Sequence, residues 1–140
     1  MIILRDRLLA GLIKTLAENQ HNEYPQNIFE IGRTFEYDTT QETGVKETEH
    51  LGIVLCHEKT DFTEIRQILE ALLSSLGLEF SVKESHRPSF IEGRIGEVLV
   101  KNQKIGIIGE IHPQVLTNFG LAIPVVGSEL DLEKLFEMVK

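Results

Sequence analysis

The chain has 140 residues, of which 41% are hydrophobic and 26% are charged, and its formal net charge is −8. This balance is typical of one folded domain and excludes a disordered chain, which lacks the apolar groups needed to offset the entropy of ordering. No apolar run approaches the roughly 18 residues of a membrane-spanning helix, and the first residues lack the pattern of a secretory signal. Cys56 is the single cysteine, which excludes an internal disulfide and fits a reducing compartment. We therefore expect a cytoplasmic protein without a membrane partner.

The acidic charge also constrains the class of partner. Fourteen lysines and arginines face 22 aspartates and glutamates. Proteins that bind nucleic acid on their own are usually basic, so most of this surface should repel it. A module that binds nucleic acid directly would have to use the mildly basic stretch 83–104.

The first part of the chain predicts a helix followed by an antiparallel hairpin. Leucines and isoleucines at three- and four-residue spacing predict an amphipathic helix over 5–20. Alternating apolar and polar residues predict a strand over 27–37, and a polar loop at 38–48 leads to a second strand over 51–56. Arg33 falls on the apolar face of the first strand, so we expect it to meet a buried acid.

The middle of the chain predicts a capped helix and a short strand. Asp61, with a glutamate three residues later, has the capping-box pattern for a helix over 61–76, and Gly77 follows as its stop. A short strand is predicted over 78–82, and a loop follows at 85–93.

The last part of the chain predicts three strands and two helices, which complete a single domain over 1–140. These elements are strands over 94–101 and 104–111, a helix over 113–119, a strand over 125–130 and a helix over 132–139. A tight turn at Asn102-Gln103 would pair Val98 with Ile107. Because most strand connections are hairpins, the order indicates an α+β fold with a mainly antiparallel sheet carrying helices on one side.

Histidine and cysteine do not indicate a metal site or a nucleophile. His50 and His57 have opposite parity along one strand, so they should point to opposite faces, whereas a zinc site needs three or four converging ligands. Cys56 shares its parity with Val54 and is predicted to be a small core residue.

Two glutamates are candidates for acid–base chemistry. In the predicted hairpin Glu97 and Glu110 lie on one face as diagonal neighbours, where a close carboxylate pair could split its pKa values. The opposite face, with Val98 and Ile107, is the predicted core. This arrangement favours an ordinary polar surface for the two glutamates.

Three arginines and a glycine pair remain as candidate ligand-binding features. Arg33, Arg87 and Arg94 could each bind a carboxylate or phosphate through two N–H groups. Gly106 and Gly109 lie inside a strand pattern, so they indicate close packing rather than a phosphate-binding loop.

Four stretches form a specific pattern when they are taken in order. They are LRDRLLAGLIKTLAENQHNEYPQNIFEIGRTFEYD, ETEHLGIVL, RPSFIEGRIGEVLVKNQKIGIIGEIHPQVLTNFGL and SELDLEKLF. Together they cover nearly the whole chain and resemble the C-terminal catalytic-like module of the phenylalanyl-tRNA synthetase β subunit of the archaeal and eukaryotic type. Ala10 stands where the family usually has proline, and alanine continues a helix better.

The resemblance implies a class II aminoacyl-tRNA synthetase-like fold, in the form of a degenerate catalytic domain. It also implies an (αβ)₂ tetramer in which the α subunit activates phenylalanine and holds ATP and Mg. The first class II signature is expected before residue 1, so the sequence is expected to lack that signature and the upstream β-subunit domains.

Two motifs differ from those of a working catalytic domain of the family. Where the working domain has Phe-Arg-x-Glu, with its arginine on the ATP phosphate, this chain has Phe35-Glu36-Tyr37-Asp38. Where the working domain has Gly-x-Gly-x-Glu-Arg, this chain has Glu129-Leu130-Asp131-Leu132-Glu133-Lys134. The added acids would repel a triphosphate, and lysine lacks the planar fork of arginine. The resemblance therefore implies no catalytic, cofactor-binding or metal-binding residue on this chain.

The sequence thus predicts a non-catalytic structural module that supports the α subunit in phenylalanine–tRNA ligation, with tRNA contacts only in the full complex. The interface is expected on the exposed face of helix 61–76 and in the loops 38–48 and 85–93. The alternative is a free-standing class II synthetase-like paralogue that binds an amino acid or a nucleotide.

Overall fold

The computed structural model describes residues 7–37 and 44–139. Helices and strands follow one another much as the periodicity predicts. In chain order they are α1 (Leu9–Glu18), β1 (Gln26–Tyr37), β2 (Val45–Cys56), α2 (Phe62–Ser75), β3 (Ser81–Glu84), β4 (Phe90–Val100), β5 (Gln103–Ile111), α3 (Pro113–Asn118), β6 (Val125–Asp131) and α4 (Leu132–Met138). The predicted α+β class is confirmed, although β3 begins three residues later than predicted and β2 takes up the end of the predicted loop.

The six strands form one antiparallel sheet in the order β1-β2-β6-β5-β4-β3. Each of the hairpins β1–β2 and β4–β5 pairs its own two strands, and β6 lies between the hairpins. The last strand of the described chain therefore joins the two halves of the sheet. This order places the end of β6 beside β2 on one side and the start of β5 on the other.

Helices cover both faces of the sheet, so the prediction of helices on one side is wrong. The helices α2 and α4 pack on one face, whereas α1 and α3 pack on the other. In β5, Ile108 belongs to the first core and Ile107 to the second, and both are fully buried. The near-continuous apolar run of this strand is the pattern expected when both faces are buried.

The turn between β4 and β5 lies one residue earlier than predicted. Lys101 and Asn102 form the turn with φ values of 51° and 64°, which suits a two-residue hairpin. Val98 therefore pairs with Gly106, and a bulge follows it. Because a one-residue slip moves a side chain to the other face, the predicted pairing of Val98 with Ile107 is wrong.

A side chain caps α2 at the residue that the sequence predicts, and another caps α4. Asp61 accepts a hydrogen bond from the backbone N–H of Glu64 at 3.0 Å, and Gly77 ends the helix region with a φ of 74°. Asp131 caps α4 in the same way through the N–H of Lys134.

Among the helices of residues 7–37 and 44–139, none is long and apolar enough to cross a membrane.

Candidate functional site

A cavity of about 180 Å³ opens beside the N-terminal end of α1, where β6 ends and β5 begins. Polar and charged side chains supply most of its wall. The lining residues are Arg7, His50, Lys104, Ile105, Gly106, Ile107, Glu129, Asp131 and Lys134. The cavity is therefore built from the region that carries the second degenerate motif.

Glu129 is the central polar group beside this cavity. One carboxylate oxygen accepts hydrogen bonds from the backbone N–H groups of Leu8 and Leu9, at 2.7 and 3.1 Å. The other oxygen lies 2.6 Å from Nδ1 of His50. Glu129 is 2% exposed, so these contacts are shielded from water. Since the first N–H groups of a helix lack partners within it, the carboxylate satisfies the start of α1 and complements its dipole.

Small residues allow α1 to come close enough for these bonds. Gly52 of β2 pairs with Glu129 across the sheet. A Cβ on Gly52 would lie 2.9 Å from Leu12 and 3.0 Å from Leu8, both in or next to α1. A larger residue in this position would push the helix away from the strand. Gly52 and Glu129 therefore both determine the position of α1 on the sheet.

The side chains of the second degenerate motif lie in the described part of the chain, whereas most of those of the first motif do not. The side chain of Glu129 lies beside the cavity. Asp131 also lines it and is engaged as the cap of α4. Lys134 lines the cavity. Asp38 lies outside the described residues, as does the side chain of Glu36.

The structure separates the two candidate glutamates, so their predicted neighbourhood is wrong. Glu97 pairs across the sheet with Ile107 on the α1 face, and its carboxylate lies 3.0 Å from Lys104. That hydrogen bond is the main cause that lowers the pKa of Glu97. Glu110 lies on the α2 face, where it accepts from the N–H of Phe62 at 3.0 Å and pairs with Arg94. Each carboxylate thus has its own cation and a structural role.

The histidines point to opposite faces, as predicted. His50 meets Glu129 on the α1 face, whereas His57 lies 2.7 Å from Glu64 of α2. A hydrogen bond from Thr60, and then the contact with His57, lower the pKa of Glu64. Within residues 7–37 and 44–139, no group of three histidine, cysteine or acidic side chains is placed to hold a metal.

Cys56 is a core residue, as predicted. Its side chain is fully buried, and burial raises its pKa to about 11. The thiol is therefore protonated at neutral pH, where a nucleophile would need to be a thiolate.

Arg33 does not meet a buried acid. It pairs with Glu47 at 2.7 Å, and both side chains are more than half exposed. The cause is that its face of β1 is uncovered, with Phe29 72% and Ile31 58% exposed. Periodicity identified the apolar face correctly, but it could not say whether a helix covers it.

The sequence did not reveal the contact between His50 and Glu129. The two residues are 79 positions apart, and only the strand order brings them together. The available signal was a glutamate inside the otherwise apolar run of β6, because a buried acid needs a partner. Sequence reasoning also did not identify Arg7, which lines the cavity.

A family model for the phenylalanyl tRNA synthetase beta chain CLM domain matches residues 1–132. The chain belongs to this family. The resemblance noted from the four stretches is thereby confirmed. The match takes in both degenerate motifs except for the last two residues of the second.

Curated relatives of this domain agree with the family. The phenylalanine–tRNA ligase beta subunits of Thermococcus onnurineus and Thermococcus gammatolerans are 42% and 43% identical over 133 residues, which is 95% of this chain and 23% of each relative. The same subunit of Methanosarcina barkeri is 42% identical over the same length. The chain thus spans about a quarter of these relatives.

A solved structure shares the fold. Pyrrolysyl-tRNA synthetase from Desulfitobacterium hafniense superposes with a TM-score of 0.73 over 96% of this chain and 49% of that chain. The sequence identity is 18%, so the likeness concerns the fold alone.

Proposed function

We propose that this domain is a non-catalytic structural part of the β subunit of a phenylalanine–tRNA ligase, with the degenerate fold of a class II synthetase. It supports an α subunit that activates phenylalanine in an (αβ)₂ enzyme. ATP and Mg bind on the α subunit, and tRNA is contacted only in the full complex. The observation that carries the proposal is the carboxylate of Glu129, which joins α1 to His50 where the working domain has a glycine.

The charges beside the cavity support the loss of adenylate chemistry. Catalysis of adenylate formation requires donors aimed at the charge that develops on the phosphate. Glu129 instead presents a carboxylate there, and Asp131 adds a second acid at the same wall. Lys134 contributes a point charge without the paired N–H groups of arginine.

Adenylate formation tests the proposal directly. The chain, incubated with phenylalanine, Mg–ATP and labelled pyrophosphate, is expected to exchange no label into ATP, because its acids oppose a bound triphosphate. A phenylalanine-activating synthetase serves as the positive control. Exchange that disappears in Lys134→Ala would instead support the free-standing paralogue and contradict the structural role.

An exposed apolar surface supports a docking role. Phe29 and Ile31 of β1 project from the α2 face of the sheet and pair with Ile53 and Leu51 of β2. On α2, Ile68 is also 36% exposed. We call Phe29, Ile31 and Ile68 the outer apolar surface. Large apolar side chains exposed on a folded domain are common at protein interfaces.

The orientation of α2 places Ile68 on the side of this surface. Arg66 lies over the ring of Phe80, 5.4 Å from its centre, which fixes that flank of α2 toward β3. Two residues further along a helix, the side chain points to the opposite flank. Ile68 therefore faces the β1–β2 half of the sheet. The predicted interface on the helix at 61–76 thus extends onto β1.

Charge placed on the outer apolar surface should abolish recovery of the α subunit. With the chain as bait in a lysate of its source cells, we expect stoichiometric recovery of the phenylalanine-activating subunit, and a loss of at least tenfold in Phe29→Asp. Burying a carboxylate in an apolar interface without a partner is strongly unfavourable. Phe136→Asp is the matched control, since Phe136 is 54% exposed on α4. Equal recovery by both variants would contradict the placement of the interface.

A further inference from the structure

Arg87 differs from the two other arginines that the sequence offers as ligands for a carboxylate or a phosphate. Arg33 and Arg94 are paired with Glu47 and Glu110, at 2.7 and 3.1 Å. In the described part of the chain, Arg87 has no carboxylate within 4 Å. Its Nε atom is buried without a hydrogen-bond partner there, whereas its terminal nitrogens are not fully buried. This guanidinium group thus lacks the anionic partner that the other two have.

The environment of Arg87 is unfavourable for the free domain. Nearly all buried N–H groups in folded proteins are paired, and this one is not. Burial lowers the pKa of Arg87 because it disfavours the charged form. Proteins commonly give up stability in this way at binding sites, where a ligand supplies the compensating charge.

Arg87 lines a cavity of about 590 Å³ that is separate from the cavity beside Glu129. Phe90 of this cavity pairs with Ile111 at the end of the β4–β5 hairpin opposite its tight turn. The volume lies within the range of about 300–1,000 Å³ that is typical of sites for small molecules. The lining residues are His86, Arg87, Pro88, Phe90, Glu92 and His112.

The two histidines of this cavity are held by local contacts. Nδ1 of His112 accepts a hydrogen bond from the backbone N–H of Gln114 at 3.0 Å, so the ring carries its proton on Nε2, where it can donate. Nδ1 of His86 lies 3.3 Å from the carboxylate of Glu92. Arg87 is therefore the charged side chain of this cavity without a partner, and His112 offers a second donor that is uncharged.

We propose that Arg87 binds the carboxylate group of a small organic acid in this cavity, with the Nε2–H of His112 as a second donor. The planar fork of a guanidinium group suits the two oxygens of a carboxylate, and such paired bonds are strong. One negative charge compensates the one unpaired positive charge, whereas a phosphate dianion would bring a second charge toward Glu92. Pro88 and Phe90 supply apolar wall, which favours an acid with an apolar body.

The site goes beyond the proposed structural role. It uses no residue of the outer apolar surface or of the cavity beside Glu129, and binding there requires no reaction. Pyrophosphate exchange and recovery of the α subunit report on the structural role, whereas the titration below reports on the site. Failure of either proposal therefore leaves the other standing.

Nuclear magnetic resonance of the isotope-labelled chain, titrated with sodium benzoate, tests the site, with sodium chloride at matched ionic strength as the reference. We expect a saturable shift of the Arg87 Nε–H signal, because a carboxylate on the guanidinium group changes its electrostatic surroundings. The signals of Arg33 and Arg94, which have their own acids, should move no more than with chloride. Acetate, which has no ring, and inorganic phosphate should bind more weakly. No saturable shift for Arg87, or binding of acetate or phosphate as tight as that of benzoate, would overturn the proposal.

Arg87→Met separates a ligand site from a structural arginine. Methionine keeps the apolar stem but removes the unpaired N–H and the charge, so the unfolding midpoint without benzoate should stay the same or rise. The affinity for benzoate, followed through backbone amide signals of the loop before β4, should fall at least tenfold. A lower midpoint or an unchanged affinity in Arg87→Met would overturn the proposal.

Two further variants complete the test. Arg94→Met is the control and should bind benzoate as the unaltered chain does, because Arg94 pairs with Glu110 on the α2 face. His112→Asn keeps a capping acceptor for the N–H of Gln114 but removes the imidazole donor, so its affinity should fall severalfold. An equal loss of affinity in Arg94→Met and Arg87→Met would show a general effect of charge and contradict the site.

Discussion

Replacing Glu129 by alanine should lower the free energy of unfolding by about 3–5 kcal/mol, because it removes the acceptor of several buried hydrogen bonds at once. The substitution leaves His50 and two backbone N–H groups of α1 without their acceptor. Each unsatisfied buried donor adds about 1–3 kcal/mol, and the start of the helix also loses its compensating charge. Urea-induced unfolding, followed by circular dichroism, measures the change.

Asp131→Ala is the control for Glu129→Ala, since it removes a carboxylate from the same strand. Asp131 caps α4 at a less buried position, so its loss should cost about 1 kcal/mol. Glu129→Gln, which keeps one acceptor oxygen but no charge, should fall between the two. A loss below about 1 kcal/mol in Glu129→Ala would show that the carboxylate does not hold α1.

Gly106→Ala should destabilise the domain by about 3 kcal/mol or more, at the upper end of the cost of inserting a methyl group into packed structure. A Cβ on this residue would collide with the carbonyl oxygen of Glu129 and lie 3.0 Å from Cα of Leu130. Both obstacles are in β6, which pairs with Gly106 across the sheet, so the two strands would have to separate. The measurement is the midpoint and slope of urea-induced unfolding.

Gly32→Ala provides the comparison for this clash. Its new Cβ would meet Cδ2 of Leu8 at 3.2 Å, the end of a side chain that can move. We expect a change of less than about 1 kcal/mol there. If Gly106→Ala were as mild as Gly32→Ala, the close approach of β5 and β6 would not be required for stability.

Most helices and strands of the fold could be predicted from local patterns in the sequence. The alternation in β1, the helical spacing in α1 and the capping pattern at Asp61 each depend on neighbouring residues, and each led to the correct type of element. The expectation that Gly106 allows close packing also follows from its position inside a strand, and the backbone of β6 lies against it. These features need no knowledge of the rest of the molecule.

The errors concern features that distant parts of the chain decide. Whether the face of Phe29 is buried depends on which helix covers β1, and the side reached by Glu110 depends on a turn one residue away from the expected place. Lys101 adopts a positive φ in this turn. Because that conformation is usually adopted by glycine, the sequence did not indicate a turn at a lysine. His50 and Glu129 meet only because β6 lies next to β2.

The position of β6 between the two hairpins has a consequence for synthesis on the ribosome. Until residues 125–131 have emerged, the hairpins β1–β2 and β4–β5 can each form, but the edges of β2 and β5 have no neighbour. The bond from Leu8 to Glu129 spans 121 positions, so it can form only when nearly all of this domain has been made. Sheets that depend on such distant pairings fold slowly and expose unpaired strand edges to other chains. Nascent copies of this domain are therefore most exposed to aggregation just before its last strand appears.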